Sequence, residues 1–206
     1  MDTLPVLALV IGAYLLGSLS FAVLVSRAYG LPDPRTFGSR NPGATNMLRS
    51  GRRMAAVWTL LGDSLKGAIA VGVARLALRG LPIVEPADDV LGLVALAAFL
   101  GHLYPVFFRF EGGKGVATAA GILLLLSWPM GLGTLLVWLA VFGLTRLSSL
   151  AAIAAAFAAP VLAFSLLGSS SISFVVLLMA LLLIWRHRSN IRKLLAGEED
   201  KTFTRR

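Results

Sequence analysis

LPVLALVIGAYLLGSLSFAVLV, residues 4–25, carries no charged side chain and is long enough to cross a bilayer as one helix. A spanning helix needs about 20 mainly apolar residues, because the hydrocarbon core is roughly 30 Å thick and each helical residue rises about 1.5 Å. Measured on that length, further apolar runs lie at 55–78, 90–108, 116–128, 131–144, 150–167 and 172–185. The run at 116–128 is short and stops at Pro129, and the next follows almost at once, so the two read as a helical hairpin. The expected fold is an all-α integral membrane protein, a polytopic bundle of about seven transmembrane helices. It forms a single membrane-embedded domain over residues 1–206.

Composition agrees with that solvent. Hydrophobic residues make up 57% of the chain and charged residues 14%, where a soluble domain averages about 25% charged. Lys and Arg number 19 against 10 Asp and Glu, for a net charge of +9. A surplus of that sign often marks nucleic-acid binding. Distributed around apolar spans, it points instead to membrane orientation and contact with anionic lipids, so membrane lipids are expected partners and nucleic acid is not. The absence of cysteine excludes disulfides, thiolate metal sites and a cysteine acyl-enzyme. Met1 is followed by Asp2 rather than a basic stretch, so no cleaved signal peptide is expected.

The basic residues also orient the bundle. With the N-terminus outside and the C-terminus in the cytoplasm, the inner segments are 26–53, 109–115, 146–149 and 186–206. They hold every lysine and arginine except Lys66, Arg75 and Arg79, as the positive-inside rule requires. Every polar or glycine-rich motif then lands on the cytoplasmic face.

Four such motifs are present. GSRNPGATN, residues 38–46, interrupts the apolar pattern with glycine, asparagine and proline. Gly38 and Ser39 leave backbone N–H groups and a hydroxyl for an anion, and Gly43 adds further freedom. Asn41 is placed to cap a helix whose first position is Pro42, with Asn46, Arg49 and Arg53 following at helical spacing as one polar face. FEGGKGVATAAG, residues 110–121, surrounds Lys114 with Gly112, Gly113 and Gly115 directly before an apolar helix. Free N–H groups at a helix start together with a lysine suit phosphate. It is not a Walker A loop, because Phe108 stands where that motif has its first glycine and Gly115 where it has Ser or Thr. TRLSSLAA, residues 145–152, puts Ser148 and Ser149 in a tight turn, where they serve either as helix caps or as donors to a ligand. WRHRSNIRK, residues 185–193, places His187 and Asn190 on a shared helical face among basic residues. Four motifs suited to phosphate on one membrane face point to a phosphorylated substrate arriving from the cytoplasm.

Inside the spans, Asp63 and Lys66 stand at i,i+3, where an ion pair offsets the cost of a buried charge. With His102 they read as structural support for the site. The two histidines are far apart and have no carboxylates at ligand spacing, so neither metal nor cofactor is expected.

GSLSFAVL, DPRTFGSRNPGATNMLR, GDSLKG, GHLYPVFFRFEGGKGVAT, SSLAA and RHRSNI, in that order between about residue 10 and residue 195, resemble the bacterial acyl-phosphate:glycerol-3-phosphate acyltransferase family. This chain departs from the family pattern at Arg40, where glycine is usual, and at SFAV after GSL. The resemblance implies a seven-helix fold in the bacterial plasma (inner) membrane with the active site on the cytoplasmic face. It implies transfer of a fatty acyl group from acyl phosphate to the 1-hydroxyl of glycerol 3-phosphate, giving lysophosphatidic acid and phosphate for phospholipid synthesis, with an acyl-phosphate-forming enzyme upstream. Carried over, Ser39, Arg49, Lys114, Ser149, His187 and Asn190 form the catalytic site. The attacking hydroxyl loses its proton either to His187 or to the substrate's own phosphate.

Two other classes fit the sequence less well. A transporter of phosphorylated solutes would line a path with the same cations, but the chain has no internal repeat and its outer loops are nearly free of basic residues. A membrane scaffold would leave Lys114 and its glycines unexplained. Glycerol-3-phosphate acyltransferases of the other large class carry His and Asp five residues apart, whereas Phe107 and Arg192 occupy those positions after the two histidines here.

Overall fold

The computed structural model describes residues 3–80 and 86–202, and among these the regular structure is helical throughout. In chain order the helices are α1 (Leu4–Gly17), α2 (Phe21–Ala28), α3 (Ala44–Leu48), α4 (Arg53–Gly80) and α5 (Ala87–Leu103). A 3-10 turn, Val106–Phe108, follows, and then α6 (Val116–Leu126), α7 (Trp128–Thr145), α8 (Ser148–Leu167), α9 (Ser171–Arg186) and α10 (Arg188–Leu195). By length and composition, α4, α5 with its 3-10 turn, α7 and α8 make 4 candidate spans, or up to 6 if the bent pairs α1–α2 and α9–α10 each count as one. α6 is apolar but has only 11 residues.

Several boundaries differ from those the sequence predicts. The first run is not one helix: it breaks at Ser18–Ser20, and α1 and α2 meet at 44°. The break is stabilised from elsewhere in the fold. Lys66 Nζ donates to the freed Leu19 carbonyl at 2.6 Å, and Ser18 Oγ accepts from the Val106 amide at 3.3 Å while donating to the Tyr14 carbonyl at 2.9 Å. In lipid an open backbone group costs several kcal/mol, so helix breaks persist where such partners stand ready. The third run ends at Leu103 rather than Phe108, since Pro105 lacks the N–H a continuing helix needs. Trp128 opens α7 instead of closing α6, which puts Pro129 in a first turn, where a missing N–H is harmless.

Helix faces are sorted by size. On α4 the inward residues are mostly small or polar, among them Ala55, Thr59, Gly62, Asp63, Lys66, Gly67, Ala70 and Ala74. Its outward stripe is Leu60, Leu61, Leu65, Ile69, Val73 and Leu76. Large outside and small inside is the pattern of helices that pack in lipid, where close backbone approach replaces the hydrophobic drive. The approach is closest between α4 and α6: a Cβ on Gly121 would run into the Ser64 carbonyl, and one on Gly67 would meet the Thr118 carbonyl at 2.5 Å. α6 ends inside the bundle, and Arg75 of α4 donates to its last carbonyl, Leu126, at 2.5 Å. α5 lies at the centre against α1, α4, α6 and α9, contributing Val94, Phe99 and Leu103 to a core shared with Ile122, Met130, Val176 and Met179.

Candidate active site

The segments joining α2 to α4 and α5 to α6 meet at one end of the bundle. Arg35 bridges them: it pairs with Asp33 at 2.7 Å and Glu111 at 3.1 Å, and donates to the Phe108 carbonyl at 3.3 Å. The first segment is not organised as its sequence predicts. Asn41 does not cap a helix beginning at Pro42; the helix is five residues long, starts at Ala44 and has extended Gly43 as its cap. Arg49 sits at its C-terminal cap and Arg53 opens the next helix, so Asn46, Arg49 and Arg53 do not share one helical face. Asn46 faces inward. Its Oδ1 accepts from the Ser39 amide at 2.9 Å, and its Nδ2 donates to the carbonyls of Pro34 at 2.8 Å and Phe37 at 3.2 Å. One buried amide thereby folds the loop that carries exposed Gly38, Ser39 and Arg40, with the Arg49 side chain alongside Gly38. Arg40 has a φ of 56°, in the left-handed region where glycine is unstrained, so its backbone adopts a geometry that glycine would take without cost.

The glycine loop before α6 is held on three sides. The Gly113 amide donates to the His102 carbonyl at 3.2 Å. A Cβ on Gly113 would strike the His102 imidazole, and one on Gly112 would strike the His102 and Leu103 carbonyls. Below the loop, His102 Nδ1 lies 3.0 Å from Thr118 Oγ1 and 3.6 Å from Asp63, which itself pairs with Lys66 at 2.8 Å. From the third side Arg186 donates to the Gly112 carbonyl at 2.7 Å and the Gly113 carbonyl at 3.1 Å, with its guanidinium 5.7 Å from the Tyr104 ring centroid. Nothing in the local sequence separates Arg186 from its basic neighbours Arg188 and Arg192.

Lys114 projects from this loop and donates to Asn190 Oδ1 of α10 at 2.5 Å. Burial is the main cause that pulls its ammonium down to about 8, and the charges of Arg186, Arg49 and Lys193 push the same way while Glu199 opposes them. Four cations from three segments of the chain therefore share one region. His187 does not lie within a helix alongside Asn190; it occupies the junction where α10 turns 58° from α9. Its Nδ1 lies 2.8 Å from the Leu183 carbonyl, which can only accept, so Nδ1 carries the proton and Nε2 is left as an acceptor. Burial keeps this imidazole neutral by lowering it to about 4.

Ser149 lies in the first turn of α8, which packs against α10. It is buried, and its Oγ has no hydrogen-bond partner among the described residues. A buried hydroxyl costs free energy unless paired. Among the described residues no three His, Cys, Asp or Glu side chains converge as a metal site.

The fold and site define a helical membrane protein with a cluster of cations at one end. The sequence profile of the family described as Glycerol-3-phosphate acyltransferase matches residues 7–197. The chain is 58% identical over 197 residues to the glycerol-3-phosphate acyltransferase of Thiobacillus denitrificans, covering 95% of this chain and 96% of that protein. Against the glycerol-3-phosphate acyltransferase of Methylobacillus flagellatus it is 59% identical over 190 residues, covering 92% and 93%. Its backbone matches the crystal structure of PlsY (YgiH), an integral membrane glycerol 3-phosphate acyltransferase, in its glycerol 3-phosphate form, with a TM-score of 0.87 and 40% identity over 97% of this chain and 96% of that one. The lysophosphatidic acid form gives a TM-score of 0.83 and 39% identity over 96% and 95%. The chain belongs to the glycerol-3-phosphate acyltransferase family.

Proposed function

We propose that this protein transfers a fatty acyl group from acyl phosphate to the 1-hydroxyl of glycerol 3-phosphate, giving lysophosphatidic acid and inorganic phosphate. The observation that carries the reading is the bond between Lys114 and Asn190 within electrostatic reach of Arg49, which brings three distant segments together. Both substrates bear phosphate, and both can be gripped there while an acyl tail stays in lipid.

Acyl phosphate already has a good leaving group. The work left to the protein is to hold two anions together and to stabilise charge on the carbonyl oxygen and the departing phosphate. Arg49 and Lys114 take the phosphates, with Gly38, Asn41, Gly43, Gly112, Gly113 and Gly115 shaping the backbone around them and Asn46 fixing the loop. Ser39 and Ser149 donate hydrogen bonds. Asn190 aligns Lys114, and His187 with Asn190 orients glycerol 3-phosphate, leaving the attacking hydroxyl free to point its proton at phosphate. That oxygen bonds to the carbonyl carbon, the carbon–oxygen bond to phosphate breaks, and the phosphate leaves with the electron pair. An imidazole held at about 4 is a weak base. A phosphate with a second pKa near 6 is the better proton acceptor, so the hydroxyl proton goes to phosphate. His102, Asp63 and Lys66 support the glycine loop from below.

The same reading places the protein in the bacterial inner membrane as one domain with seven spans, α6 being a short span sealed against α4. Its N-terminus is outside, and its site is on the cytoplasmic face, where an enzyme forming acyl phosphate can supply it. Phosphorus NMR of a turning-over sample tests the chemistry. One inorganic phosphate should appear per lysophosphatidic acid, and phosphate release without acylated product would identify a hydrolase instead.

A further inference from the structure

The segment after α10 reads GEEDKT, residues 197–202, and it doubles back over the site. Gly197, with a φ of 71°, ends the helix, and the Glu198 amide donates to the Lys193 carbonyl at 2.8 Å to reverse the chain. Glu199 Oε1 then accepts from Asn190 Nδ2 at 2.6 Å, and its charge favours the protonated form of Lys114. Asp200 lies 3.8 Å from Arg49. Beyond it the Thr202 amide donates to the Arg146 carbonyl at 2.9 Å, fastening the strand to the turn between α7 and α8. Two successive carboxylates thus lie on Asn190, which holds Lys114, and beside Arg49, to which phosphate binding is assigned above.

We propose that this acidic segment is an internal competitor of the phosphorylated substrates, a strap that occupies the phosphate-binding groups and is displaced at each turnover. The inference rests on the site reading given above. Its physical basis is that a carboxylate and a phosphate compete for the same donors, with the phosphate carrying more charge and more acceptor oxygens. The strap is built to be weak. The Asp200 side chain is 76% exposed and Arg49 33% exposed, at a separation where a solvated pair contributes little. Its anchors are backbone hydrogen bonds at either end, Glu198 to Lys193 and Thr202 to Arg146, so the carboxylates can swing away without the segment detaching. Apparent substrate affinity is then reduced by the fraction of molecules in which the strap is engaged.

The test uses the full chain and the double variant Glu199→Gln with Asp200→Asn, which removes charge while keeping an acceptor for Asn190. Glycerol 3-phosphate is varied at saturating palmitoyl phosphate, and inorganic phosphate is the competing probe. The expected result is a fall of about three- to ten-fold in both the KM for glycerol 3-phosphate and the inhibition constant of phosphate, with kcat within about two-fold. Unchanged constants would overturn the competitor. So would a raised KM with lowered kcat, which would make Glu199 a positioning residue for Asn190. Arg49→Ala separates the two readings. If it leaves both constants unchanged, the phosphate site itself is misassigned; if it raises both while the double variant does nothing, only the strap fails.

Discussion

Lys114 and Asn190, 76 residues apart, are joined by a hydrogen bond that ties the glycine loop ahead of α6 to the amphipathic helix α10. Neither partner is fully committed: the ammonium has two further protons to offer, and the amide nitrogen, which gives one N–H to Glu199, keeps the other. Removing the lysine should therefore damage the reaction more than the fold. Lys114→Ala is expected to lower kcat about 10²- to 10³-fold, the usual cost of losing one preorganised charge donor. Its Tm in detergent should stay near that of the parent, and near-normal turnover in purified protein would contradict the assignment.

The lowered Lys114 also sets a pH dependence. At about 8 the ammonium begins to lose its proton, so its grip on phosphate weakens as pH rises through that value. The KM for glycerol 3-phosphate should climb above about pH 8, and bound phosphate, which favours the charged form, should move the limb upward. Lys114→Arg, permanently charged, should lose the limb even where its overall rate is low. A pH profile of kcat/KM for both proteins decides it.

Stability on the acid side is linked to His187. Its folded value of about 4 lies below the ordinary value of 6.5, so between the two the unfolded chain binds a proton that the folded chain excludes. The contribution is fully present above pH 6.5 and is lost as pH falls toward 4. His187→Gln should flatten the decline in Tm over that window, and an unchanged slope would show that another group governs it.

The pair Asp63 and Lys66 is buried beneath the loop at 2.8 Å. Asp63→Asn leaves a buried charge with only the Leu19 carbonyl and should cost about 3 to 5 kcal/mol. Removing both charges with Asp63→Asn and Lys66→Met should be milder. Thermal unfolding in detergent gives the order directly, and a double variant worse than the single would argue that Lys66 acts chiefly on Leu19.

Arg186 is expected to be a positioning residue. Arg186→Met frees two loop carbonyls and should lower kcat about ten-fold or more with little change in the strength of phosphate inhibition, since a 1 Å misplacement alone can cost about 10². A larger loss of phosphate affinity than of kcat would place Arg186 on the phosphate itself.

How much was legible beforehand follows from how local each feature is. Apolar runs and their stop residues lie next to one another in sequence, so the helical membrane architecture and the motif segments could be read directly. The break between α1 and α2 could not, because Ser18 and Ser20 sit in a run that is otherwise spanning, and the partner that makes the break affordable is Lys66 on another helix. The helix in GSRNPGATN starts later than its sequence pattern predicts for a related reason. Asn46 is helical, as its spacing suggests, but within a short α3 that starts at Ala44, and three backbone contacts from its own loop turn its side chain inward. Arg186 and Glu199 were indistinguishable from their charged neighbours until the chain was folded back on itself.

The reaction itself is tested most directly by product formation from purified protein in detergent or lipid mesophase, given radiolabelled glycerol 3-phosphate and either palmitoyl phosphate or palmitoyl-CoA. Labelled lysophosphatidic acid from palmitoyl phosphate alone is the predicted result. Product from palmitoyl-CoA alone, or from neither donor with the fold intact, would contradict it.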